Sequence, residues 1–492
     1  MSQQQSASRR NILHQPALMA ATALMGIALA SMMTACSGGN SSMAGTGSNP
    51  TPTPQATTSV QVNMGDSPAD WMLAFSMNIT SMSLTGSNGS VSVTSSSTPM
   101  EMMHLMGTMQ PLGMISVPQG TYTGASITIG SATVMYMDPT TKAPAQQTIA
   151  GPINGTMAFS SPITVGATPM AMGFDLDLAK SVTGSSGSLT MNPVFNVTSG
   201  AQGSGNPMDF SDGGIQQMMG SISSVSAGSF TMTPMQAVKS FTFSTNSSTV
   251  FDGTTMGTMA NGMLAIVDAT LQSDGSLLAT KVQSMIGSGG MMGGGMVTAV
   301  TGSPATQITM AMQNGVGAGM MSSYLAEGAT VNMNGSTVYE IDDDNVDMAG
   351  LPFTPVFDAS HLYAGQSMMP ISSGSMMAGG SGGGMMGGGG MGGGMMAGTI
   401  TASTLELEPQ GLTGSVASAL QSGSSGTFTL TLPADCAFTT LTGASSVTVY
   451  QQSATRLAGG ASIASGSTVH VFGLLFFDSG QWKMVASRIG SN

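Results

Sequence analysis

From Val60 onward the chain is written in short runs in which apolar and polar residues alternate, each broken by Gly, Asn, Ser or Pro. Met77-Asn78-Ile79-Thr80-Ser81-Met82-Ser83-Leu84 and Ser126-Ile127-Thr128-Ile129 are two such runs. A period of two sends successive side chains to opposite faces, so one face meets a core and the other meets water. A helix needs an apolar repeat of 3.6 residues, and beyond the first 35 residues few stretches sustain one. Punctuation agrees: 69 glycines and 22 prolines supply turns throughout, with no collagen period. The predicted fold class is all-β.

Charge narrows the function classes. Only 6% of the 492 residues are charged, 9 basic against 22 acidic, for a formal net charge of −13. Such a chain cannot lay a basic track along phosphates, which excludes nucleic acid as a partner. The two cysteines, Cys36 and Cys436, are too few for a disulfide-dense scaffold or a multi-cysteine zinc or iron–sulfur site.

Arg9 and Arg10 precede an apolar run from Ala17 to Met33, followed by Thr34-Ala35-Cys36. A basic start, a short apolar stretch and small residues before a cut describe an export signal over 1–35 and not a spanning helix. Met33-Thr34-Ala35-Cys36 resembles a bacterial lipobox, with Met where Leu is usual, and this implies lipidation at Cys36. Ser8-Arg9-Arg10-Asn11-Ile12-Leu13 also resembles a twin-arginine export motif. Residues 36–57 carry the lipidated cysteine and a Ser/Gly/Thr/Pro stalk. The expected location is the cell envelope, lipid-anchored to a membrane, in the outer one by the absence of an aspartate at position 37.

Residues 58–200 contain Gly65-Asp66-Ser67-Pro68-Ala69-Asp70-Trp71, Val117-Pro118-Gln119-Gly120-Thr121-Tyr122-Thr123 and Gly173-Phe174-Asp175-Leu176-Asp177-Leu178-Ala179-Lys180-Ser181-Val182. Together these resemble a bacterial envelope domain of unknown function, which implies an immunoglobulin-like or related β-sandwich with no established activity. Pro-x-Gly also reads directly as a turn feeding a strand.

The rest of the chain repeats a unit. Gly262–Val267 and Ser276–Val282 flank Asp274-Gly275, a hairpin signal because both residues accept positive φ. A second copy runs through Ala364–Ile371 and Thr399–Leu407, and a third through Ser465–Gly473, Asp478-Ser479-Gly480 and Trp482–Ser487. The units resemble an uncharacterised envelope family of small OB-like β-barrels that occur in tandem. The expected organisation is module 1 at 215–286, a Gly/Met linker at 287–295, module 2 at 296–408 and module 3 at 411–490. Module 2 holds a Gly/Met-rich loop at 374–398 that cannot pack a core, because glycine supplies no side chain.

Methionine is the main candidate for chemistry. There are 50 methionines against 28 leucines, and thioether sulfur is a soft ligand suited to Cu(I) or Ag(I). Met102, Met103, His104 and Met106 belong to the densest Met/His cluster, and the glycine loop adds Met376, Met377, Met385, Met386, Met391, Met395 and Met396. At 100–109 methionine equally fills positions where leucine-type core residues are expected. In the loop, the alternatives are low-complexity expansion and sacrificial oxidation to the sulfoxide. Glu340–Asp347 is an acidic run without the Gly and Glu of an EF-hand, and reads as a solvated loop. Cys436 reads as a buried thiol. His104, His361 and His470 are too scattered for a triad or zinc site. Nucleophile-elbow and dinucleotide patterns within 379–387 lie inside the glycine tract and lack strand–turn–helix context.

These readings lead to a non-enzymatic envelope lipoprotein presenting binding or scaffolding β-domains, with no cofactor. Oligosaccharide or another envelope protein is the expected partner. The alternative is a Met-rich protein that binds Cu(I) or buffers oxidants.

Overall fold

The computed structural model describes residues 55–491 except 68, 106–107, 139, 202–212, 235–238, 285–289, 292–293, 314–328, 344–345, 373–398, 419–425 and 459–462. The N-terminal part runs β1 (Thr57–Ser67), β2 (Met72–Gly86), β3 (Gly89–Thr94), β4 (Thr98–Glu101), a 3-10 turn (Met103–Leu105), β5 (Met109–Pro118), β6 (Gly120–Met137) and β7 (Pro144–Val165). It continues with β8 (Met170–Asp177), α1 (Leu178–Ser181), β9 (Val182–Thr183), β10 (Thr190–Met191) and β11 (Phe195–Ala201). One sheet has the order β11-β8-β1-β5, and a second has the order β3-β2-β6-β7 with β4 also on β2. A single core joins them: Val60, Val62 and Phe174 of the first sheet pack with Phe75, Ile79 and Ile127 of the second.

The run at 77–84 shows how sequence sets register. It alternates up to Ile79 and again from Met82, and two successive polar residues, Thr80 and Ser81, mark the slip. There the pairing with β6 shifts, Ile79 opposite Ile129 but Ser81 opposite Thr128. This bulge keeps both apolar sets on the core face. Pro118-Gln119-Gly120 turns the chain from β5 into β6, and the buried Tyr122 donates its hydroxyl to the Pro118 carbonyl at 2.9 Å.

Three further strand sets follow. The first comprises β12 (Gly214–Ser226), β13 (Ser229–Pro234), β14 (Phe241–Ser244), β15 (Val250–Asp252), β16 (Leu264–Leu271) and β17 (Leu277–Ser284). The second comprises β18 (Gly290–Met291), β19 (Gly295–Gly302), β20 (Ala305–Met312), β21 (Ala329–Asn332), β22 (Val338–Ile341), β23 (Ser367–Ser372), β24 (Thr399–Thr401) and β25 (Thr404–Leu407). The third comprises β26 (Gln410–Val416), β27 (Gly426–Thr431), α2 (Ala437–Thr442), β28 (Ser446–Ala458), β29 (Thr468–Asp478) and β30 (Gln481–Ser491), and closes as the barrel β26-β27-β28-β30-β29.

One connectivity recurs in all three sets. In each, one strand pairs antiparallel with the strand that follows it and with a later one (β12 with β13 and β16, β19 with β20 and β23, β26 with β27 and β29). The strand after that pair runs parallel to one near the end of the set (β14–β17, β21–β24, β28–β30). In the second set that role is divided, β24 pairing with β21 and β25 with β23.

Turn chemistry differs between copies. Ser479 (φ 53°) and Gly480 (φ 77°) make a two-residue turn between the paired Asp478 and Gln481. At Asp274-Gly275 only Gly275 is left-handed, at φ 84°, and the loop spans 272–276 between the paired Leu271 and Leu277. Asp274 instead accepts from the Ser276 amide at 2.9 Å, so its carboxylate replaces the tight turn expected from sequence.

The apolar run in β29 has no polar face because it is buried on both sides. Leu475 points into the barrel core with Trp482 and Phe438. Leu474 and Phe476 join the core of the second set beside Met310 and Leu405. Among the described residues no helix is long and apolar enough to cross a membrane.

Candidate functional site

A cavity of about 110 Å³ lies where the N-terminal sheets meet the three repeated sets. Met103 and Gln110 come from the N-terminal part, and Gln217, Asp268 and Lys281 from the first set. Met296, Asp342, Met369 and Glu406 come from the second set, and Gln410 and Phe472 from the third. No single module supplies the walls.

Gln217 organises one wall. The pairing of β12 with β16 shifts register between Ile215 and Met218, and Gln217 sits in that bulge at φ 50°. A left-handed conformation costs a non-glycine residue ~1–3 kcal/mol, and here it aims two donors outward. The Gln217 amide donates to Asp268 Oδ1 at 2.6 Å, and its side chain Nε2 donates to Asp342 Oδ2 at 2.9 Å. Asp268 faces Lys281 across the β16–β17 ladder.

The opposite wall is fixed by buried amides. Gln410, 4% exposed, accepts from the Ser367 amide at 2.7 Å and donates to the Gly365 carbonyl at 2.8 Å. Gln313 donates to the Leu73 carbonyl at 2.9 Å, tying the second set to β2. Burying these side chains is tolerated because each finds partners. The result is a preformed polar cleft whose lining includes methionine as well as charged groups. It contains carboxylates, amides and one ammonium, and can hydrogen-bond and neutralise a polar ligand.

The sequence motifs bring together a second group, of carboxylates. β1 and β8 run parallel, with Asp66 opposite Leu176 and Ser67 opposite Asp177. Asp66 is buried, and neither of its carboxylate oxygens has a hydrogen-bond partner. Burial first, and then Asp175 and Glu101, hold its pKa well above the usual carboxylate range. Burial likewise raises Asp70 to about 7 and raises Asp175, which accepts from the Ser67 hydroxyl. Glu101 Oε1 accepts from the amides of Phe75 and Met103, both at 3.1 Å. Burial thus biases the Asp66 and Asp175 carboxyls toward their protonated forms, and Asp66 is only 3% exposed.

Of the residues predicted as a soft-metal site, only the side chains of Met102 and Met103 are among those described. Met102 and Met103 are buried in the N-terminal core, at 0% and 2% exposure, although Met103 also reaches the cavity wall. Met106, Met376, Met377, Met385, Met386, Met391, Met395 and Met396 lie outside the described residues, as does the side chain of His104. Cys36, the export signal, the stalk up to residue 54 and most of the 287–295 linker also lie outside them. Among the described residues no three His, Cys, Asp or Glu groups converge to hold a metal ion.

Cys436 is buried just ahead of α2, and burial followed by the nearby Asp70 pushes its thiol up to about 12. It is not a thiolate at neutral pH. His361 contacts Asp358 at 2.8 Å, and half-buried His470 contacts the Thr413 hydroxyl at 3.0 Å. Desolvation and then Arg488 push His470 down to about 4. The acidic run 340–347 is only partly solvated: Asp343 is exposed, Asp342 is on the cavity wall and Val346 is buried in the core.

Sequence reasoning missed the cavity. Its walls come from strands far apart in the chain, and no local spacing announces them. The available signal was Gln216-Gln217 interrupting an apolar strand.

No curated protein matches the chain. Residues 219–283 match the family described as a domain of unknown function, DUF5666. That span covers most of β12 through most of β17, the first repeated set. The protein is thus a mostly β-strand chain of several sheets, with one small five-stranded barrel and a DUF5666 domain at 219–283.

Proposed function

We propose that this chain is a non-enzymatic cell-envelope lipoprotein, anchored through Cys36 in the outer membrane, whose β-units jointly form one binding site. The observation that carries the reading is the junction cavity, walled by the N-terminal sheets and by all three repeated sets. On this reading the N-terminal part is an immunoglobulin-like sandwich and the repeats are OB-like barrels. Folds of that kind bind ligands through loops and open sheet faces. Amide and carboxylate walls suit a polar small molecule, such as an oligosaccharide, or a polar segment of another envelope protein. The soft-metal alternative gains nothing from Met102 and Met103, whose burial serves packing.

Two measurements test the proposal. Cys36→Ser should abolish incorporation of labelled fatty acid and release the chain from membranes. Retention of both would overturn the anchor. Glycan and envelope-protein capture by the full chain should fall when Gln217→Pro distorts the cavity wall while thermal unfolding stays cooperative. Capture unaffected by that change would remove the cavity from the function.

A further inference from the structure

The charge pattern of the cavity narrows its ligand, an inference that rests on reading the cavity as a binding site. Asp268, Asp342, Glu406 and Glu408 line it with a single ammonium, that of Lys281. Among the described residues, however, no three acidic, imidazole or thiol groups come close enough to hold a metal ion. The negative charge is therefore spread along the walls rather than focused on a point, which disfavours one compact divalent cation. The same lining includes Met103, Met219, Met296, Met369 and Ile266, apolar and, at the sulfurs, polarizable. A complementary ligand has positive charges held apart by hydrocarbon.

Size agrees. A water needs ~10–15 Å³ of such space, so about 110 Å³ takes a ligand of on the order of eight heavy atoms. Gln217 spends backbone strain to orient Asp268 and Asp342 before any ligand arrives, which is the preorganisation a charged guest rewards.

We propose that the junction cavity binds a short aliphatic diamine or polyamine, its ammonium groups on separated carboxylates and its methylenes along the methionine wall. The test is calorimetric titration of the full chain in uncharged detergent with 1,4-diaminobutane and spermidine, against 1,4-butanediol and Mg²⁺. Saturable amine binding that weakens with salt is expected, with none for the diol or Mg²⁺. Glu406→Gln combined with Glu408→Gln should weaken it roughly tenfold, the scale of one charged hydrogen bond. Lys281→Gln should tighten it, a direction that structural damage would not produce. Asp343→Asn, at an exposed acid outside the cavity, should change nothing.

Absence of amine binding, equal binding of the diol, or indifference to both cavity variants overturns the proposal. Oligosaccharide binding without amine binding overturns the amine class but leaves the cavity as the binding site. Failure of every ligand to register at the cavity defeats both readings.

Discussion

Methionine at 102 and tyrosine at 122 do different work, and each makes a separable prediction. Met102 has no exposed surface and sits among Phe75, Leu105 and Val62 in the N-terminal core. Its thioether fills volume there, so Met102→Leu should cost less than ~1.5 kcal/mol in urea denaturation. Any Cu(I) uptake by the full chain should be unchanged in that variant, and a loss of uptake would return this residue to the metal-binding set. Tyr122 is also buried, but its value lies in one atom, the hydroxyl that donates to the Pro118 carbonyl. Tyr122→Phe keeps the ring and strips the donor from a corner where two sheets are joined. A loss of about 1 kcal/mol is expected by the same measurement, and an unchanged midpoint would mean that water satisfies that carbonyl.

At the scale of the element, the repeated sets share a device visible only in three dimensions. Gly220 of β12 and Gly295 of β19 sit where their strand pairs with both neighbours, and Gly414 of β26 pairs with β29 one residue before the pairing with β27 begins. A Cβ at these positions would stand 2.6, 2.2 and 2.4 Å from a carbonyl oxygen of the following strand. Glycine there lets the two backbones approach this closely. Gly414→Ala should therefore destabilise the C-terminal barrel by at least ~1–3 kcal/mol, the cost of overpacking. Thermal unfolding of the full chain would read this, and a neutral result would show the strands able to separate.

Alternation in β2 and β6 was legible in the sequence, because period two and its interruptions act over neighbouring residues. The glycines and the junction cavity were not. Their meaning depends on backbones brought together from strands tens of residues apart, and 69 glycines hide the few that matter. The acidic run shows the same limit: Asp342 and Asp343 are adjacent in sequence, yet only Asp342 lies on the cavity wall.

Across the whole molecule, the parts share cores rather than merely following one another. Leu73, Ala74 and Met135 of the N-terminal sheets cluster with Met296 and Ala311 of the second set and Ala437 of α2. Asp70 stands on this seam. Its carbonyl accepts from the Ala437 amide at 2.7 Å, and its carboxyl accepts from the Thr413 amide at 3.2 Å. Burial holds its pKa near 7, against the lowering effect of the Thr413 bonds. The folded chain keeps this proton where the unfolded chain, with an ordinary carboxylate, has lost it. The seam is therefore strongest below about pH 4 and weakens as pH rises to about 7. A shift from 3.8 to about 7 corresponds to on the order of 4 kcal/mol across that window. Asp66 and Asp175, also raised, add slopes of the same sign. Asp70→Asn keeps an oxygen for Thr413 and removes the titration, so urea midpoints between pH 5 and 8 should fall less steeply in the variant than in the parent. Parallel slopes would mean that Asp70 is hydrated and charged in solution, and that apolar contacts and the Ala437–Asp70 backbone bond hold the N-terminal sheets to the C-terminal part.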